Sequence, residues 1–229
     1  MGTNLSTSVP MQCRVPDCQS AAHGYSSFCQ SHKQALRRHG APTQEGVTVQ
    51  ELRPYLTLVD ARKAKNLENE TWVILVARWE AVQDHARATL QRFSEGHPRH
   101  RADLLAAHHI LNVGHSVEAW AVIKTALAMF IMQDQRPTRF KTDAAFDFQL
   151  VRRVRGLAES SVGSYWDQKE QRSKKVYRDI PPRVMQAMAQ PLKVAFGAPG
   201  MALAAKERED MQKANNERNR LANALEGLQ

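Results

Sequence analysis

A chain of 229 residues, 42% of them hydrophobic and 24% charged, has enough apolar side chains for a folded core, which excludes a globally disordered polypeptide. A formal net charge of +9 and a pI near 9.7 favour an acidic partner: nucleic acid, or less often an anionic membrane surface. The longest apolar stretch, 117–132, is broken by Glu118 and Lys124 and is too short to cross a bilayer; no basic n-region or apolar h-region opens the chain, so a cytoplasmic protein with no membrane partner is expected.

In chain order, residues 1–10 read as a disordered tail, and a small module follows over 11–42. All three cysteines lie within 13–29, in the pattern Cys13-x4-Cys18-x10-Cys29-x2-His32. An odd number of cysteines in one cluster, with a histidine at ligand spacing, argues for a metal and against disulfides. Zinc prefers four such ligands in a tetrahedron, and a closed Cys3His shell is structural. The first pair needs a tight loop, which Arg14-Val15-Pro16-Asp17 supplies, with Pro16 restricting the turn. The second pair, at i and i+3, shares one face of a first helical turn. That helix continues through His39 and stops at Gly40, with Pro42 beyond it and Ser26 and Ser27 as candidate caps. Phe28, His32, Ala35 and Leu36 are expected to face the metal and the small core, while Arg14, Lys33, Arg37 and Arg38 face outward. His23 and His39 are alternative fourth ligands. His32 is preferred because its relation to Cys29 is geometrically simple. A module of this size cannot bury enough surface to fold unaided, so Zn2+ would supply the deficit.

Cys13-x4-Cys18, then Phe28-Cys29-Gln30-Ser31-His32, then Leu36-Arg37-Arg38-His39-Gly40-Ala41-Pro42 resembles the small zinc modules of many bacteriophage and mobile-element proteins. Those include HNH-type homing endonucleases and proteins encoded near site-specific recombinases. The resemblance covers about 30 residues and implies zinc and a DNA-related setting. The HNH motif itself does not follow, so the resemblance implies no nuclease activity.

After a short polar linker over 43–47, an all-α helical domain is expected over 48–200. Leu52, Leu56 and Val59 mark a first helix with Pro54 near its start, and Trp72, Leu75, Val76, Trp79, Val82, Ala86 and Leu90 mark a second. Gly96 and Pro98 end that one. A third runs over 101–113 to Gly114, and an apolar fourth over 116–133. Thr142-Asp143 caps a fifth, with Phe146, Leu150, Val151 and Val154 inside. Residues 163–180 lack periodicity and read as a loop or short hairpin. Pro181-Pro182 open a helix to Phe196, Gly197-Ala198-Pro199-Gly200 reads as a turn, and 201–229 is a separate charged helix. Leu221, Leu225 and Leu228 on that helix suggest a protein partner or a homodimer.

Twelve of the 32 lysines and arginines fall between Arg136 and Arg183, against 6 acids. The clusters are Arg136/Arg139/Lys141, Arg152/Arg153/Arg155 and Lys169/Arg172/Lys174/Lys175/Arg178, with Tyr165, Trp166 and Tyr177 interleaved. Cations neutralise phosphates and aromatics stack on bases. Candidate nucleic-acid contacts are therefore Arg14, Lys33, Arg37 and Arg38 on the module, and Arg152, Arg153, Arg155, Lys174, Lys175 and Arg178 as a second surface. Catalysis is weakly supported. His108, Asn112 and His115 share a helical face with no carboxylate companion, and Tyr177 among basic residues lacks the ordered set a recombinase nucleophile needs. The expected function is a non-enzymatic DNA-binding accessory or regulatory protein of a phage or mobile element. A protein-interaction scaffold and a divergent metal-dependent nuclease are the alternatives.

Overall fold

The most apolar segment of the chain lies at the centre of the fold. In the computed structural model, which describes residues 11–158, 161–168, 171–177 and 179–226, every residue from Thr125 to Met132 is buried. A helix apolar on all sides has no face for water and must be enclosed by its neighbours. This helix is α5 (Ala119–Gln135), and α2 (Val49–Lys65), α3 (Thr71–Ser94), α6 (Asp143–Arg155) and α7 (Pro182–Glu226) pack around it. A further helix, α4 (Arg101–Ser116), closes the bundle against α3, α6 and α7. With α1 (Gln30–His39) in the N-terminal module, the described residues hold seven α-helices. The body is all-α as expected. No single helix among the described residues is long and apolar enough to cross a membrane.

Thr142 caps a helix as the sequence expects, whereas Ser26 and Ser27 do not cap α1, whose N-cap is Cys29 without a side-chain cap bond. The Thr48 hydroxyl accepts from Glu51 N at 3.0 Å and starts α2, and the Thr142 hydroxyl accepts from Ala145 N at 3.0 Å and starts α6. Of the two readings of 163–180, loop or short hairpin, the hairpin is what forms. Strands β1 (Ser161–Asp167) and β2 (Arg172–Tyr177) pair antiparallel and link α6 to α7.

Three expectations are corrected. Gly114 does not end a helix; it lies inside α4, where a side chain would collide with Gln83 of α3. Residues 197–200 do not form a turn, because α7 runs unbroken through Pro191 and Pro199. Packing explains the glycine: a Cβ on Gly200 would lie 2.6 Å from Cδ2 of Phe130, so the close approach of α7 to α5 requires its absence. The core continues past this point to Ala204 and Glu207, and Arg62 holds both Glu207 and Asp210 at 2.8 and 2.6 Å. From Arg208 to Leu225 every residue of α7 is exposed. The expected tail at 1–10 and Leu228 lie outside the described residues.

The third correction concerns the linker at 43–47, which is packed rather than solvated. Gln44 and Val47 are buried. The Gln44 side chain accepts from Lys141 N, and Val47 N donates to the fully buried Gln149 at 2.9 Å. Arg139 donates to the carbonyls of Glu45 and Gly46 and grips both oxygens of Glu51 at 2.6 and 3.0 Å. Gly40, at φ 84°, ends α1 so close to α6 that a Cβ would lie 2.5 Å from the Ala144 carbonyl. The module is thus seated on the body through the C-terminal end of α1 and the segment that follows it.

Candidate metal centre

The first ligand pair comes from a small knuckle. Gln12 and Ala21 form an isolated antiparallel bridge, Cys13 N donates to Ser20 O at 3.0 Å, and Cys18 N donates to Val15 O at 3.2 Å. Asp17 takes φ 62°, the left-handed turn conformation that aspartate tolerates, and brings Cys18 back toward Cys13. Cys29 stands at the N-cap of α1 in extended conformation, so its thiol and the His32 ring, one turn into the helix, meet on the same side.

The four candidate ligand atoms all lie within 4.8 Å of one another. His32 Nδ1 is 3.3 Å from both Cys13 Sγ and Cys29 Sγ, and Cys18 Sγ is 4.0 Å from Cys29 Sγ. In a tetrahedral site with ordinary metal–ligand lengths, sulfurs sit about 3.8 Å apart and a sulfur and nitrogen about 3.5 Å. The observed spacings match, so the cluster could hold a metal ion. No disulfide competes, because all three cysteines are free. The alternatives His23 and His39 stand apart. His23 is exposed, and His39 Nδ1 is engaged 3.2 Å from Gln149 Nε2.

The thiols oppose one another electrostatically. Burial works to raise the Cys13 pKa, but hydrogen bonds from the Cys29 and Val15 backbone, His32 and Cys18 outweigh it and bring the thiol down to about 6. Cys29 moves the other way. A hydrogen bond from the His32 backbone favours its thiolate, yet burial and the neighbouring Cys13 and Cys18 raise its pKa. Three thiolates cannot share this space without a cation among them. The small core beneath comprises Cys13, Val15 and Cys29 with Cys18 and Phe28 against them. Leu36, expected to face inward, is 38% exposed instead.

The basic residues fall into a different arrangement from the two surfaces expected. Arg14, Lys33, Arg37 and Arg38 are exposed. Arg37 and Arg38 sit in the last turn of α1, and Arg152, Arg153 and Arg155 in the last turn of α6. All five line one cavity of about 260 Å³ between module and body. Asp179, which the sequence did not single out, enters the same cavity and accepts from Arg38 at 2.8 Å. Burial lowers the pKa of Arg152, with Asp179 working against it, and burial and then Arg152 lower that of Arg155.

The other basic positions divide. Arg136 and Arg139 are spent on Glu51. Lys174 and Lys175 lie on β2 opposite Tyr165 and Ser164, and Arg178 is outside the described residues. Trp166 on β1 is 58% exposed. His108, Asn112 and His115 all point to solvent and form no enclosed site. Comparison with family models, with curated proteins and with solved structures finds no match to this chain.

Proposed function

We propose that this protein is a zinc-containing, DNA-binding accessory or regulatory protein of a phage or mobile genetic element, without catalysis of its own. The setting rests on the module's resemblance alone. Cys13, Cys18, Cys29 and His32 would hold the zinc. A shell of four protein ligands leaves no open position for substrate, so the ion's contribution is folding free energy.

The observation that carries the reading is the meeting of Arg37 and Arg38 from the module with Arg152, Arg153 and Arg155 from the body on one cavity. Arginine forks match phosphate oxygens, and a concentrated cationic surface gains affinity by releasing condensed counterions. Retention of duplex DNA measured from low to moderate salt tests it. Affinity should fall steeply with salt, and Arg37→Glu with Arg38→Glu should reduce the log–log slope by about 2, roughly 0.9 for each phosphate no longer neutralised. Binding that ignores salt would refute the mechanism.

The exposed end of α7 favours a second reading, a protein-binding scaffold. Leu221 and Leu225 are 65% and 60% exposed on one helix face. Under that reading a second copy or another protein covers them, and light scattering across a concentration series distinguishes a dimer from a monomer.

A further inference from the structure

The cavity between α1 and α6 has a second character besides its charge. Leu52, Leu56, Ile180 and Met185 supply an apolar floor beneath the arginine rim. A single polar group interrupts that floor. Thr125 lines the cavity from α5, is buried, and makes no side-chain hydrogen bond to another described residue. An apolar concavity with one or two polar groups at its base and a charged mouth is the anatomy of a small-ligand site, whereas a face that only tracks a duplex backbone needs no floor.

The charge at the mouth is also informative. Arg153 and Arg155 have contacts of their own. The Arg37 and Arg152 side chains make no hydrogen bond or ion pair with another described residue, and Arg38 shares Asp179. Five arginines line the cavity against the single carboxylate of Asp179, so the mouth is strongly cationic and attracts the more highly charged phosphate more strongly. A phosphodiester carries one negative charge, and a terminal phosphate monoester carries close to two near neutral pH.

We propose that this cavity is a binding site for one nucleotide bearing a terminal phosphate, either the 5′ end of a strand or a free nucleoside monophosphate. The inference rests on the reading of the arginine cavity as a nucleic-acid surface. The phosphate sits among Arg37, Arg38 and Arg152 and takes Arg38 from Asp179. The base and sugar lie on the leucine, isoleucine and methionine floor, where the Thr125 hydroxyl gives or takes a hydrogen bond.

The test uses the metal-loaded full chain and fluorescence anisotropy with four probes: a 5′-phosphorylated oligonucleotide, its 5′-hydroxyl counterpart, closed circular duplex, and adenosine monophosphate as a competitor. The phosphorylated strand should bind at least about tenfold more tightly than the hydroxyl one, as expected of charge-assisted hydrogen bonds. Arg152→Gln should erase that preference and also weaken circular duplex binding, whereas Thr125→Val, which meets only the seated nucleotide, should reduce affinity for the phosphorylated strand and leave circular duplex binding unchanged. Asp179→Asn, which removes a competing anion at the same size, should raise affinity for the phosphorylated strand. Equal affinity for the two strand ends, with Asp179→Asn silent, overturns the inference while DNA binding to circular duplex still stands. Monophosphate bound in an Arg152-dependent way by a protein that ignores every DNA supports the cavity, assigns it a free nucleotide and removes the DNA-binding function. Binding of neither overturns both.

Discussion

The Cys3His module and the helical body sit against each other but are held by different physics. The body encloses a continuous apolar cluster running from Val47 to Ala204, with Trp79, Leu127, Met129 and Phe196 essentially without solvent contact. Such a core is stabilised by the water it excludes. Apart from Ala41 at its end, the module buries only Cys13, Val15 and Cys29, and its four ligands are the main thing its two halves share. A stretch this small needs a cross-link such as a bound ion to close it, whereas the body does not. Each region places one half of the arginine cavity, so the cavity is complete only when both are folded.

Emptying the proposed metal site should give the largest separation between the two. Chelation, or Cys29→Ser, should abolish exchange protection over residues 11–39, since zinc contributes apparent free energies of about 10–16 kcal/mol in comparable small modules. The body's melting transition should barely move. Loss of both together in hydrogen-exchange mass spectrometry would mean that the module is integral to the core.

The converse change is Trp79→Ala, which empties a site 1% exposed on α3. It should cost about 3–5 kcal/mol in urea unfolding while leaving the metal content of the native protein unchanged. A smaller effect is expected where the two regions meet. Gln149→Ala removes the partner of both Val47 N and His39 Nδ1 and should cost about 1–3 kcal/mol, read as faster exchange of the Val47 amide.

The smallest effect is a pH dependence at the same seam. Burial first, then the charges of Arg152 and Arg38, lower the pKa of His39 from its ordinary 6.5. As pH falls, the unfolded chain takes up this proton before the folded one does. Stability from keeping His39 neutral is therefore complete above pH 6.5 and is lost as pH drops through the lowered folded value. The wild type minus His39→Gln difference in urea stability should shrink on acidification across that window. A pH-independent difference would remove His39 from the seam.

Local features of the sequence revealed much of this and long-range features did not. The ligand set was legible because Cys-x4-Cys and Cys-x2-His are short-range patterns with fixed geometry. Helix positions were legible because buried residues such as Leu75, Trp79, Val82 and Ala86 repeat at helical spacing and Thr48 and Thr142 are strong caps. The Gly-Ala-Pro-Gly run at 197–200 misleads, since proline within a helix costs about 3 kcal/mol and glycine about 1. Here tertiary contact with Phe130 outweighs those local preferences. Linker polarity at 43–47 misleads in the same way, because Gln44 and Val47 are buried and find partners about a hundred residues away. The clustering of Arg37 and Arg38 with Arg152, Arg153 and Arg155, and the presence of Asp179 among them, depend on how α1 docks on α6. No window of sequence contains that information.

A double-mutant cycle in duplex DNA binding most directly tests whether module and body form one surface. Arg37→Glu/Arg38→Glu is one arm, Arg152→Glu is the other, and folding of each variant is checked by circular dichroism. A shared site predicts a combined loss that departs from the sum of the two arms by about 0.5–3 kcal/mol. Losses that add within experimental error would contradict it, assigning the two arginine groups to independent contacts.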